Sequence, residues 1–234
     1  CRQIILDTET TGFYYDKGDR LIEFAGLEMI DRRLTGQYLH LYVHPERDIP
    51  EDAVRVHGIT LDKLENEPKF AEVGAQIADF IRGAELVIHN APFDVGFLNM
   101  EFARIGLPTV EELAGGVVDT LAMAKGLYPG QKNSLDALCS RLGVDRSKRV
   151  FHGALIDCEL LGEVYLGMTR AQFSLTDQFA EEEGGAAPAA VQTAVPRPAR
   201  LAVLAADAEE TAAHEAYLND LDRAAEGGSL WRKA

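Results

Sequence analysis

The stretch "ILDTETTG", Ile5 to Gly12, decides how this chain is read. With Ile4, its first residues are apolar enough for a buried strand, yet the run passes straight into two carboxylates, Asp7 and Glu9, spaced by one residue. Side chains at i and i+2 of a strand leave the same face, so both acids can converge on one point at the strand's end. Two like charges held together are costly unless something positive sits between them, and a divalent cation is the natural occupant. Oxygen ligands favour magnesium or manganese over zinc. Two unrelated acids on a solvated strand end would be the plain alternative if the pair stood alone.

Two further segments repeat the grammar. In "VIHNAPFD" an apolar strand, Leu86 to Ile88, runs into His89 and Asn90, and Asp94 follows at the start of a helix. A helix dipole favours a carboxylate there, so capping is the bland role for Asp94. In "FHGALIDCELL" His152 stands at or just before a helix start and Asp157 falls in its second turn, among Leu155, Ile156, Leu160 and Leu161. A buried acid in apolar company needs a partner, and a cation shared with Asp7 would supply one. His152, at the helix entrance, could then take a proton from the attacking water.

Around these points the pattern is mixed α/β. "LIEFAGLEMIDRR" and "GQYLHLYVHP" read as two more strands, which with Ile4 to Leu6 suggest an antiparallel meander. "KFAEVGAQIADFIRG" and "FDVGFLNMEFARIG" are amphipathic helices, with the short strand "ELVIHN" between them. "GGVVDTLAMAKGLYPG" is a short strand running into a helix, "SLDALCSRLG" has Ser134 as N-cap, and "GALIDCELLGEVYLGMT" is a long helix. Strands first, then strands alternating with helices, predict an α/β domain with a mixed sheet flanked by helices over residues 1 to 168. Residues 169–200, with "EEEGGAAPAAVQTAVPRPAR", read as a flexible linker. Residues 201–234 regain apolar residues and hold Trp231, the sole tryptophan, which suits an interaction segment.

The 234 residues are 47% hydrophobic and 26% charged, a globular composition. No apolar run reaches the roughly 18 residues of a membrane span and no signal-peptide pattern is present, so a cytoplasmic protein is expected. Cys1, Cys139 and Cys158 lack metal or disulfide spacing and read as reduced thiols. A net charge of -15 argues against a basic surface that grips long nucleic acid by counterion release. A nucleic-acid substrate would need metal ions, local geometry or a partner protein to offset the repulsion.

Asp7-x-Glu9, then Asp94 in "HNAPFD", then His152-x4-Asp157 resemble, in order and spacing, the signature of the DEDDh exonucleases. "RRLTGQ", "FAEV", "IRGAELVIHNA", "NSLDALC" and "HGAL" are similar to the epsilon proofreading subunits of bacterial DNA polymerase III, and the likeness resumes in "AAHEAYL" and "SLW". The resemblance implies a ribonuclease-H-like 3′–5′ exonuclease. Asp7, Glu9, Asp94 and Asp157 would hold two divalent ions, Mg2+ or Mn2+, with His152 as the base and a terminal phosphodiester at a DNA 3′ end as substrate. His57, Asp52, Thr10, Thr11, His89 and Phe93 would seat the terminal nucleotide; Asp52 stands where the family usually has glutamate. "QFSLTDQF", Gln172 to Phe179, resembles a sliding-clamp motif through Gln172 and Leu175, with Asp177 where an aromatic is usual. Residues 201–234, through Tyr217, Leu218, Leu221 and Trp231, would dock on the polymerase catalytic (alpha) subunit, and a small accessory subunit is a further implied partner. The rival expectations are a DEDDh exonuclease acting on RNA and a catalytically silent scaffold between polymerase and clamp.

Overall fold

The computed structural model describes residues 1–147, 149–170 and 207–224. The chain divides into two compact units, Cys1–Gly184 and Gly185–Ala234. The expected clamp motif at Gln172 to Phe179, nearly all of the expected linker, and Trp231 lie outside the described residues.

Five strands, β1 (Arg2–Thr10), β2 (Leu21–Ile30), β3 (Arg33–Tyr42), β4 (Glu85–Ile88) and β5 (Gly116–Asp119), form one sheet in the order β3-β2-β1-β4-β5. β1, β2 and β3 are antiparallel neighbours, the expected meander, while β4 and β5 run parallel to β1. The sheet is therefore mixed, and β1 lies at its centre. Ile4, Ile5 and Leu6 are fully buried because that central strand is covered on both faces; each such side chain contributes about 1.5–3 kcal/mol on burial.

On one face, Ile4 and Leu6 pack in a cluster with Phe70, Val73, Ile77 and Ile81 of α3 (Phe70–Ile81) and Leu98 and Phe102 of α4 (Ala91–Arg104). On the other, Ile5 meets Ala154, Cys158, Leu161 and Tyr165 of α8 (Ala154–Met168). Behind α8, Leu160, Val164 and Met168 bury against α6 (Thr120–Leu127) and α7 (Leu135–Leu142), so α8 is covered almost all round. The alternation along β1 thus sends Ile5, Asp7 and Glu9 toward the α8 layer and Ile4, Leu6 and Thr8 toward the α3 and α4 layer.

Three expectations shift. The second strand ends at Ile30 and the third begins at Arg33, because Asp31 and Arg32 both take positive φ, 49° and 64°, and close a two-residue hairpin turn. α8 starts at Ala154, which puts Asp157 in its first turn and not its second. Short helices α1 (Glu51–His57), α2 (Leu61–Leu64) and α5 (Val110–Leu113) and a 3-10 turn at Tyr15–Lys17 fill stretches where no element is predicted. In the second unit, Ala208–Ala224 form a helix, α9. Among the described residues no helix is long and apolar enough to cross a membrane.

Candidate active site

Asp7, Glu9 and Asp157 each present a carboxylate oxygen within 4.8 Å of the other two. β1 supplies the first pair from its α8-facing side, and the first turn of α8 supplies the third. Asp94 reaches the same end of β1 from the opposite helical layer. It is buried, and its Oδ1 accepts a hydrogen bond from Thr8 Oγ1 at 2.7 Å, which ties the first turn of α4 to β1. Four acids from both faces of the sheet therefore meet where the central strand ends.

Their protonation records the crowding. Burial, followed by the charges of Asp94, Glu9, Asp157 and Glu23, holds the Asp7 carboxyl well above the ordinary range. Burial and then Glu23 push Glu9 up to about 8, and burial pushes Asp94 up to about 7 despite the bond from Thr8. Burial raises Asp157 as well, opposed by its bond from Arg149. Asp157 Oδ1 is buried and lacks any hydrogen-bond partner. An orphaned buried carboxylate oxygen beside two more acids is the donor set a hard divalent cation takes, so the residues fit such an ion.

His152 Nδ1 lies 3.5 Å from Asp157 Oδ2 and 2.5 Å from an Arg149 Nη, and its side chain is half exposed. His57 sits at the C-terminal end of α1 in the wall of a cleft of about 400 Å³, with Glu9, Thr10, Thr11, Gly12, Asp52 and Phe93 among the other lining residues. Its Nδ1 accepts the Ile59 N–H at 3.0 Å, which leaves the proton on Nε2, a buried donor beside the Thr10 backbone that makes no hydrogen bond of good geometry. Burial lowers the His57 pKa, so the neutral ring persists at neutral pH.

The remaining expected residues divide. Thr10 Oγ1 donates to the Gly12 carbonyl at 2.6 Å and Thr11 Oγ1 to Asp19 Oδ1 at 3.0 Å, so both threonines shape the turn under the cleft. Phe93 packs edge-on against the exposed Phe13 ring, 6.5 Å between centroids. Asp52 borders the cleft but is almost fully exposed and pairs with Arg55 at 3.2 Å. His89 follows β4 at the end that lies beside Leu6 and Asp7 of β1, and its Nδ1 is 2.9 Å from Thr120 Oγ1.

A family model described as Exonuclease (RNase_T) matches residues 4–165. The chain is 48% identical over 238 residues to the DNA polymerase III subunit epsilon of Pasteurella multocida, covering 99% of this chain and 94% of that protein. It is 45% identical over 242 residues to the Escherichia coli K12 protein of the same name, with 99% and 97% covered. The chain belongs to the exonuclease family of DNA polymerase III epsilon subunits. Among solved structures, Exonuclease X in complex with 5′ overhanging duplex DNA aligns with a TM-score of 0.56 at 25% identity, over 76% of this chain and 98% of that one. The zinc-bound E. coli ExoI–ssDNA complex shares the fold, with a TM-score of 0.64 at 19% identity over 77% and 43%. The expected ribonuclease-H-like fold and an exonuclease acting on DNA are thereby established for this epsilon-family chain.

Four residues around the epsilon-family site escape the sequence reading. Glu23 lies directly across from Glu9 on β2, buried, with Oε1 2.7 Å from His40 Nε2 and Oε2 accepting the Ala154 N–H at 3.1 Å. Two facing glutamates would repel, and the histidine and the helix N-terminus offset the second one. Its signal is a lone acid inside the apolar run "LIEFAG". Arg149, three residues before His152, bonds Asp157 Oδ2 at 2.6 Å. Phe13 and Tyr14, in the turn-rich stretch after Gly12, line the cleft as exposed aromatics.

Proposed function

We propose that this chain removes mispaired nucleotides one at a time from a DNA 3′ end, as the proofreading subunit of a bacterial replicative polymerase, with Asp7, Glu9, Asp94 and Asp157 holding two divalent ions, Mg2+ or Mn2+. The observation that carries this reading is the convergence of Asp7, Glu9 and Asp157 within 4.8 Å around an unsatisfied buried oxygen of Asp157. When bound, the ions would supply Lewis-acid stabilisation of charge on the attacking and leaving oxygens of an in-line displacement.

The protein's own groups do the rest. His152 takes the proton of the attacking water, which its half-exposed position at the rim of the carboxylate cluster allows. His57 Nε2–H, buried in the cleft wall, donates to the terminal nucleotide. Phe93 lends it an apolar face, Thr10 sets the turn beneath it, and Asp52 stands at the outer rim. The product is a nucleoside 5′-monophosphate. For partners, residues 201–234 dock on the alpha subunit, Gln172 to Phe179 meet the sliding clamp, and a small accessory subunit binds the exonuclease domain, residues 1–168.

The test is Mg2+- or Mn2+-dependent release of 5′-monophosphates from mispaired DNA and, in parallel, from RNA. Release from DNA that Asp94→Ala lowers at least about a hundredfold supports the reading. Undiminished release in Asp94→Ala contradicts the metal-site assignment, and preferential release from RNA contradicts the substrate.

A further inference from the structure

Arg149 is the one cation bonded to the carboxylate cluster among the described residues. One Nη donates both to Asp157 Oδ2, at 2.6 Å, and to His152 Nδ1, at 2.5 Å, while the other holds Asp136 Oδ1 on α7 at 2.5 Å. The side chain is only 7% exposed, so these are not solvated surface contacts. The segment that carries it is docked on α1: the His152 N–H donates to the Val56 carbonyl at 3.1 Å, and the Phe151 ring lies against Gly58, where an added Cβ would come within 3.1 Å. Gly58 is at φ +70°, which glycine alone adopts without strain.

The chemistry of this fork is restrictive. A guanidinium only donates and stays charged, so His152 must offer it the lone pair of Nδ1. A neutral imidazole has one such lone pair, and the proton then sits on Nε2. Held this way, His152 has no free basic nitrogen, and Asp157 has one oxygen committed to Arg149 and one left over.

We propose that Arg149 is a positioning residue that holds Asp157 and His152 in a resting arrangement, and that it releases both when the carboxylate cluster takes up a divalent cation. This rests on the metal-site reading above. Arg149 and a cation compete for Asp157 and repel one another, so by linkage each weakens the other's hold by the same factor. Asp136 keeps the released guanidinium tethered, and the Nδ1 lone pair of His152 is freed only once the site holds the cation. The arrangement would spare a water-activating base from acting before the scissile phosphate can be neutralised.

The experiment uses the full chain stripped of metal, at alkaline pH, with Mn2+ binding followed by the electron paramagnetic resonance of free Mn2+ in wild type, R149Q and R149K. R149Q is expected to bind the first Mn2+ about tenfold tighter, the scale of one charge-assisted hydrogen bond, and R149K to stay within about threefold of wild type because it keeps the charge. In parallel, 15N spectra of the His152 ring are recorded with and without Mg2+: wild type is expected to be locked as the Nε2–H tautomer without metal and to exchange tautomers with it, and R149Q to exchange in both states. Equal Mn2+ affinity in wild type and R149Q, or a wild-type ring unaffected by Mg2+, overturns the proposal; the second readout decides by itself if R149Q does not fold. Absence of Mn2+ binding in wild type would remove the metal-site reading too, whereas failure of the Arg149 role alone leaves wild-type binding intact.

Discussion

At the scale of single residues, the site is a place where folding and function pull apart. Glu9 would ordinarily titrate near 4.5 and sits near 8 in the fold; Asp94 moves from 3.8 to about 7. Between those values the folded protein binds more protons than the unfolded chain, so stability from these groups is present at low pH and is lost as pH climbs through the window. Melting curves should therefore show Mg2+ raising the melting temperature more at about pH 8 than at about pH 5, whereas a site of ordinary carboxylates, ionised at both, would give nearly the same increase. By the same reasoning Asp7→Asn removes one repelling charge, and the metal-free protein at about pH 8 should melt a few degrees higher while its Mn2+ binding falls. His57→Ala deletes a buried donor outside the carboxylate cluster. Its turnover on mispaired DNA should drop roughly ten- to a hundredfold with Mn2+ affinity unchanged. Asp7 and Glu9 were legible because strand periodicity fixes where their side chains point, and Asp94, His152 and Asp157 because their order and spacing resemble the exonuclease signature. Glu23 and Arg149 were not, because their importance comes from contacts made across 131 and 8 residues of chain, with Ala154 and Asp157 respectively.

At the scale of elements, β1 and α8 carry the site between them, and Glu23 is the clasp that seats the start of α8 on the sheet. Its Oε2 satisfies the first free N–H of the helix, and its Oε1 is held by His40. Glu23→Ala should destabilise the fold by about 1–3 kcal/mol in urea unfolding, since the Ala154 N–H is buried and would be left unpaired. β1, β2, α3 and α4 could be read from periodicity and α8 from a long run with few breakers, whereas residues 208–224, read only as part of an interaction segment, were not recognised as the helix α9. The turn at Asp31 and Arg32 could not be read either, because a two-residue turn with both φ positive is expected of Asn-Gly or Asp-Gly and not of Asp-Arg. α1 is seven residues long, under two full turns, and shows too little of a helical period to be recognised, although it carries His57 and anchors the His152 segment.

At the scale of the whole molecule, a net charge of -15 coexists with an exonuclease that acts on DNA. On the proposed mechanism, divalent ions held by a few carboxylates would offset the charge of the last nucleotides of a strand, and a partner would hold the duplex. Deleting residues 201–234 should then abolish binding to the polymerase alpha subunit in a pull-down while nuclease turnover on a short mispaired substrate is retained; a deletion that still binds would place the docking surface within residues 1–200. The fold of residues 1–168 was legible because its apolar pattern is dense, whereas residues 169–200 carry too little apolar periodicity to specify an element. The central claim is that Asp7, Glu9, Asp94 and Asp157 are ligands of divalent ions. Anomalous diffraction from crystals soaked in Mn2+ tests it most directly: manganese peaks bounded by these four carboxylates are expected, and a saturated crystal with no peak there, or with its peaks elsewhere, would contradict it.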